Sequence, residues 1–148
     1  MAIDRVVEDL LRADGRSLVF VLGEEARRRV EAGFVSAGSQ VATLERSRRD
    51  VKVVFLNKLQ YLLMFLMKLE AERVAEYSSV VLYGLDTLVE APGNSATEQV
   101  RLANLVVSTL YKVRQKHDLR VAQIVWMDES SAAVKLDRIV AYWDALLR

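Results

Sequence analysis

Three short runs of consecutive apolar residues constrain the fold of this chain more than any other feature. They are SLVFVL at Ser17–Leu22, SVVLY at Ser79–Tyr83 and VAQIVW at residues 121–126. Strands that are apolar throughout, rather than at every second position, are buried on both faces of a sheet. Because helices cover both faces of such sheets, the runs favour a mainly parallel sheet.

Helical patterns separate these runs. Apolar residues spaced three and four positions apart predict helices at residues 3–12, 24–33, 57–77, 95–117 and 134–147. Further strands are predicted at residues 51–55 and, more briefly, at residues 41–44. Strands that alternate with helices predict an α/β fold with a mainly parallel sheet flanked by helices. No repeat or long linker divides the 148 residues, so a single domain over residues 1–148 is predicted.

The composition narrows the possible functions. The chain has no cysteine, which excludes disulfides, thiolate metal sites and thiol catalysis and is compatible with a reducing compartment. The net charge of +1 means that any binding to nucleic acid must come from local basic patches. The longest apolar run, residues 62–67, is far shorter than the roughly 20 residues that span a bilayer, so no membrane partner is expected.

No nucleotide motif follows the first strand. A phosphate-binding loop would place several glycines and a Lys-Ser/Thr pair there, but the chain has Gly23-Glu24-Glu25 and then an alanine and arginines. The two carboxylates would repel a triphosphate. A dinucleotide fingerprint is also absent from the sequence. We therefore expect no nucleotide cofactor and no small-molecule substrate.

The remaining candidates for catalysis or metal binding also favour structural roles. The one histidine, His117, stands at a predicted helix end, where it would interact with the helix dipole. Asp86 follows the second apolar run and is predicted to be a turn or capping carboxylate rather than a magnesium ligand. No cluster of histidines and carboxylates with metal-ligand spacing is visible. The sequence predicts no metal site and no enzyme activity.

The order of these segments resembles the ATPase core of RecA-type recombinases over about residues 17–148. The run SVVLY followed by Gly84-Leu85-Asp86-Thr87-Leu88 looks like the second nucleotide motif of that family, with Gly84 at the position of the motif's aspartate. Residues 51–69 look like the strand and helix that precede this motif. Residues 136–143 (LDRIVAYW) are similar to the helix that follows the second DNA-binding loop.

Among degenerate paralogs of these recombinases, the short length and the missing motifs are most similar to the fungal Shu complex. Within that complex the chain looks most like the subunit called chromosome segregation in meiosis protein 2. The resemblance implies a RecA-like core that lacks the phosphate loop and forms a heterodimer with another recombinase paralog. It also implies a nuclear complex that binds DNA and helps the recombinase machinery to assemble its filament in homologous recombination repair.

Two surfaces are candidates for these interactions. The segment that begins at Met127 and ends at residue 133 is short and acidic, whereas the corresponding DNA-binding loop of the family is basic. Contacts to DNA phosphates are therefore predicted for basic residues elsewhere, namely Arg46, Arg48, Arg49, Lys52, Lys135 and Arg138. The predicted helix at residues 57–77 is apolar nearly all round in its middle turns, which leaves surface for a partner. The partner interface is predicted at Tyr61, Met64, Phe65 and Met67.

Two other functions fit the same pattern. The chain could be a silent ATPase-like scaffold subunit of another heteromeric complex, such as Elongator. It could also be a small-molecule enzyme on a doubly wound sheet, with its site near Gly23 and Gly84 at the carboxyl ends of the strands.

Overall fold

The computed structural model describes residues 5–6, 9–10, 15–36, 50–89, 96–127 and 131–147. Its four strands are β1 (Ser17–Leu22), β2 (Val51–Leu56), β3 (Ser79–Tyr83) and β4 (Val121–Val125). Its helices are α1 (Glu24–Ser36), α2 (Leu59–Ala71), α3 (Leu85–Val89), α4 (Ala96–His117) and α5 (Ser131–Leu146).

The four strands form one parallel sheet in the order β2-β1-β3-β4. Ser17 pairs with Val51 on one side and with Ser79 on the other, so the amino ends of the strands are level. Parallel neighbours need long crossover connections, which the helices supply. The predicted α/β fold with a mainly parallel sheet flanked by helices is confirmed, and it is consistent with a RecA-like core. The strand predicted at residues 41–44 lies outside the described residues.

β1 and β3 occupy the centre of the sheet, and every residue of both strands is buried. One face of the sheet packs against α2, α3, α4 and α5 through the side chains of Leu18, Phe20, Leu22, Val80 and Leu82. The other face packs against Ala26 of α1 and against Leu10, which belongs to the predicted N-terminal helix. The continuous apolar runs are therefore explained by helices on both faces.

The helix predicted at residues 57–77 is shorter in the structure and ends at Ala71. Its last carbonyl groups accept hydrogen bonds from the end of α4, since His117 Nε2 lies 2.8 Å from the Leu69 oxygen and Lys116 donates to the Glu70 oxygen. These bonds satisfy groups that a longer helix would have used internally. Glu72 is extended, and the chain then leads without regular structure to β3.

Two helix boundaries also differ from the sequence prediction. Asp86, predicted to be a turn or capping carboxylate, lies in the first turn of the five-residue helix α3, which the sequence did not predict. α5 begins at Ser131, three residues before the predicted start, so its first turn takes part of the predicted loop. α3 has only five residues, so its apolar spacing at Leu85, Leu88 and Val89 covers too few turns to predict a helix from the sequence.

We predict that Gly84→Ala destabilises the fold more than Gly23→Ala. Both glycines have a positive φ, near +90°, which costs an alanine about 1–2 kcal/mol. A Cβ on Gly23 would meet its nearest atom at 3.8 Å, whereas a Cβ on Gly84 would lie 2.6 Å from the Leu22 carbonyl oxygen. The free energy of unfolding, measured in urea, should therefore fall further for Gly84→Ala. Equal losses for the two variants would contradict the close packing at Gly84.

Candidate functional site

The carboxyl end of β1, where a RecA-type core holds phosphates, forms a tight turn at Gly23. The Gly23 N–H donates to the Leu56 oxygen at 2.9 Å, and its carbonyl accepts the N–H of Arg27 at 3.1 Å. Glu24 and Glu25 are exposed in the first turn of α1. Their carboxylates stabilise this helix end and place negative charge where a phosphate would bind. The turn therefore disfavours a triphosphate.

Direct packing between α1 and the end of β3 fills the space beside this turn. Ala26 is fully buried, and a Cβ on Gly84 would lie 3.0 Å from the Ala26 Cβ. The Leu22 carbonyl oxygen would be closer still to that Cβ. Gly84, which the resemblance places at the aspartate of the second nucleotide motif, therefore has no room for a carboxylate side chain.

The polar groups at this edge of the sheet bond to one another. The carboxylate of Asp86, whose surface is 1% exposed, accepts the N–H of Met127 at 3.1 Å. Arg29 donates to the Met127 carbonyl at 3.4 Å, and the Thr87 hydroxyl donates to the Gly84 carbonyl at 2.9 Å. Asp86 thus holds the backbone that leaves β4. The arrangement fixes this edge of the sheet.

The one histidine of the sequence lies away from this edge. Among the described residues, no group of three or more histidines, cysteines and carboxylates could hold a metal ion. His117 lies at the amino end of the sheet, because α4 ends just before β4 begins. Its Nε2 is 2.8 Å from the Leu69 oxygen of α2. None of the described helices is both long enough and apolar enough to cross a membrane.

The arginines of α1 are largely occupied within their own helix. Arg27 pairs with Glu31 at 3.0 Å and lies 4.9 Å above the centre of the Phe55 ring. Arg29 pairs with Glu25 at 3.1 Å. These contacts neutralise two of the three cations. The run of three arginines is therefore a weak electrostatic patch.

The residues predicted to bind DNA are not gathered into one patch by the described part of the chain. Arg46, Arg48 and Arg49 lie outside the described residues. Lys52 is exposed near the amino end of β2, which is one edge strand of the described sheet. Lys135 and Arg138 are exposed on α5. This helix follows β4, which is the edge strand on the opposite side of the described sheet. Those two residues are one helical turn apart and form a separate basic site.

Three of the four residues predicted as a partner interface share an exposed face of α2. Tyr61 is 49% exposed, Met64 67% and Met67 56%. Their spacing of three residues places them along one side of the helix. Phe65 instead points inward, because its ring packs edge-on against Phe20 at a centroid distance of 5.0 Å and it is partly buried. We call the three exposed residues Tyr61, Met64 and Met67 the α2 stripe.

The sequence analysis missed a second exposed apolar face, on α5. The inner side of this helix packs against the core through Leu136, Ile139, Val140, Trp143 and Leu147. Val134, Tyr142 and Leu146 lie on the outer side and are exposed. Their separations of eight and four residues fit a helical repeat and could have indicated this exposed apolar side. The apolar residues of the inner side dominate the pattern in the sequence.

Comparison with known proteins identifies the family. The family model described as Suppressor of HU sensitivity involved in recombination protein 1 matches residues 4–148. The protein of that name from Saccharomyces cerevisiae is 32% identical over 135 residues, which cover 88% of this chain and 84% of that protein. The chain belongs to this family. Membership confirms the Shu-family part of the resemblance, whereas the likeness to chromosome segregation in meiosis protein 2 stays a prediction.

We predict that Asp86→Ala destabilises the folded protein, because it leaves the buried Met127 N–H without its acceptor. The loss should be about 1–3 kcal/mol, the usual effect of an unsatisfied buried group. Asp137→Ala is the matched control, since Asp137 is exposed and accepts only the Trp126 indole N–H at 2.8 Å in a comparable bond. Urea unfolding measures both variants. A fully stable Asp86→Ala protein would show that this carboxylate is not needed for the fold.

Proposed function

We propose that the chain is a non-catalytic subunit of a Shu-type recombination-mediator complex in the nucleus. It forms a heterodimer with another recombinase paralog, and the complex binds DNA and promotes assembly of the recombinase filament. Family membership is the observation that carries this proposal, since the yeast relative is named for its involvement in recombination.

The geometry of the carboxyl edge supports the absence of catalysis. In open α/β sheets, ligands bind beyond the carboxyl ends of the strands. In this chain that edge holds the contact between Ala26 and Gly84 and the bonds of Asp86 and Arg29 to Met127. A nucleotide would have to separate α1 from β3. The outer surfaces are therefore the parts of the molecule available for function.

The α2 stripe supports a protein partner. Tyr61, Met64 and Met67 together expose apolar surface on a helix whose residues 59–67 carry no charge. Methionine side chains are flexible and polarisable and are common on surfaces that adapt to partners. Burial of exposed apolar side chains is the main favourable term in most protein–protein association. The paralog partner is therefore assigned to this stripe.

DNA contacts by this subunit would have to be added to those of its partner. Of the cations predicted to contact DNA, the described residues include Lys52 on the edge strand β2, whereas Lys135 and Arg138 lie on α5 beside exposed apolar side chains. Each contact to a phosphate contributes a salt-sensitive and sequence-independent term, and several together are needed for useful affinity. A DNA path that spans both subunits satisfies this requirement.

We predict that the tagged chain co-purifies from its native cells with a recombinase paralog, identified by mass spectrometry. The purified pair should bind single-stranded or forked DNA, and the affinity should fall steeply as salt is raised. The isolated chain should not bind a fluorescent ATP analogue. A ring of alternating subunits without recombination proteins would instead favour an Elongator-type scaffold. A pair without salt-dependent DNA binding would contradict the mediator function.

We also predict that Met64→Glu weakens the association with the paralog at least about tenfold, which corresponds to roughly 1.4 kcal/mol. A carboxylate there would be buried in an apolar interface without a partner charge. Thr97→Glu adds the same charge at an exposed position in the first turn of α4 and should leave the affinity unchanged. Titration of labelled variants measures both affinities. If Thr97→Glu and Met64→Glu behave alike, the α2 stripe is not the interface.

A further inference from the structure

The outer side of α5 is a continuous exposed face. With 3.6 residues per turn, its exposed residues other than Asp137 cover an arc roughly 140° wide. In order around the helix, the members of this arc are Ala141, Val134, Ala145, Arg138, Tyr142, Lys135 and Leu146. Val134 is 58% exposed, Tyr142 61% and Leu146 58%. We call these seven residues the α5 outer face.

The acidic and basic side chains of α5 lie on different sides of the helix. Its sequence contains two acids and two bases and is neutral as a whole. Asp137 and Asp144 lie together on one flank of the helix, a heptad apart, and both are engaged. Asp137 accepts the Trp126 indole N–H at 2.8 Å, and Asp144 accepts from Arg114 at 2.7 Å in a half-buried ion pair.

The cations of the helix remain on the α5 outer face. Lys135 and Arg138 are exposed, and neither has an ion-pair partner among the described residues. Arg138 stands between Val134 and Tyr142 at steps of four residues. The seven residues of the face therefore combine apolar side chains with positive charge, and the exposed carboxylate of Asp137 lies beyond Ala141 on the flank.

This combination distinguishes a protein partner from DNA. Contacts to DNA phosphates use cations and hydrogen-bond donors, and they would leave the aliphatic side chains of Val134 and Leu146 in water. A helix with apolar residues on one side and carboxylates beside them would cover both kinds of group. Tyrosine and arginine, which meet here at Arg138 and Tyr142, are also the residues that dominate binding energy at protein interfaces.

We propose that the α5 outer face docks an acidic amphipathic helix of a partner protein. The apolar side of that helix packs on Val134, Tyr142 and Leu146, and its carboxylates pair with Lys135 and Arg138. The inference rests on the proposed function for the existence of a complex, but it concerns a surface separate from the α2 stripe.

Photo-crosslinking in the native complex tests the proposal. A benzophenone amino acid replaces Ala141, in the middle of the face, and in a control protein it replaces Gln123, which is exposed on the other side of the sheet. We expect the probe at position 141 to capture a partner peptide that is helical, amphipathic and acidic. Capture of DNA at position 141, or of nothing while the complex stays intact, would overturn the proposal.

Charge reversal supplies a second measurement. The double variant Lys135→Glu, Arg138→Glu should bind the captured partner at least tenfold more weakly, and replacing the partner's carboxylates by lysine should restore the affinity. Lys112→Glu, an exposed reversal on α4, is the control and should bind normally. Unchanged thermal unfolding confirms that the variants fold. Unchanged affinity of the double variant would rule out carboxylate pairing on this face.

The outcomes separate this inference from the proposed function. If recombination proteins co-purify but position 141 captures no protein, the mediator function stands and the α5 proposal fails. If position 141 captures an acidic helix from a protein outside recombination, the docking face stands and the mediator function fails.

Discussion

Complete burial of β1 and β3 is the constraint on which the rest of the structure depends. Every side chain of both strands is removed from water, so apolar helices must cover both faces of the sheet. The parallel register then brings Leu22 and Tyr83 to the same edge, one residue before Gly23 and Gly84. Both glycines turn the chain with a positive φ, which lets α1 and α3 start directly at the sheet. The edge is consequently tight rather than open.

The close packing at this edge of the sheet bears on where a phosphate could bind. A phosphate-binding fold keeps backbone N–H groups free at the first turn and a carboxylate near the next strand. In this chain the N–H of Gly23 is bonded to β2, the aspartate position is a glycine packed on Ala26, and the nearby Asp86 holds backbone. Each of these features stabilises the fold and disfavours a bound phosphate. The fold is consistent with a RecA-like core whose carboxyl edge is closely packed at Gly23 and Gly84.

The sequence predicted the central strands well because an unbroken apolar run has few structural interpretations. Ser17–Leu22 and Ser79–Tyr83 were predicted with the bounds that the structure has. The end of α2 at Ala71 was not predictable, since it depends on His117 and Lys116, more than forty residues away in the chain. The same limitation applies to the site. Phe65 and Met64 are equally apolar in the sequence, and only packing against Phe20 places Phe65 inside.

Charge was the property that the sequence could least resolve. α5 is neutral by composition, yet Trp126 and Arg114 occupy its acids and leave Lys135 and Arg138 facing water. An apolar partner that covered Val134 and Tyr142 would also remove Arg138 from water without a counter-charge, at a cost of several kcal/mol for a buried unpaired ion. A partner with carboxylates beside its apolar side chains avoids that cost. The position of both acids on the flank, away from Lys135 and Arg138, is therefore what favours an acidic partner on the outer face.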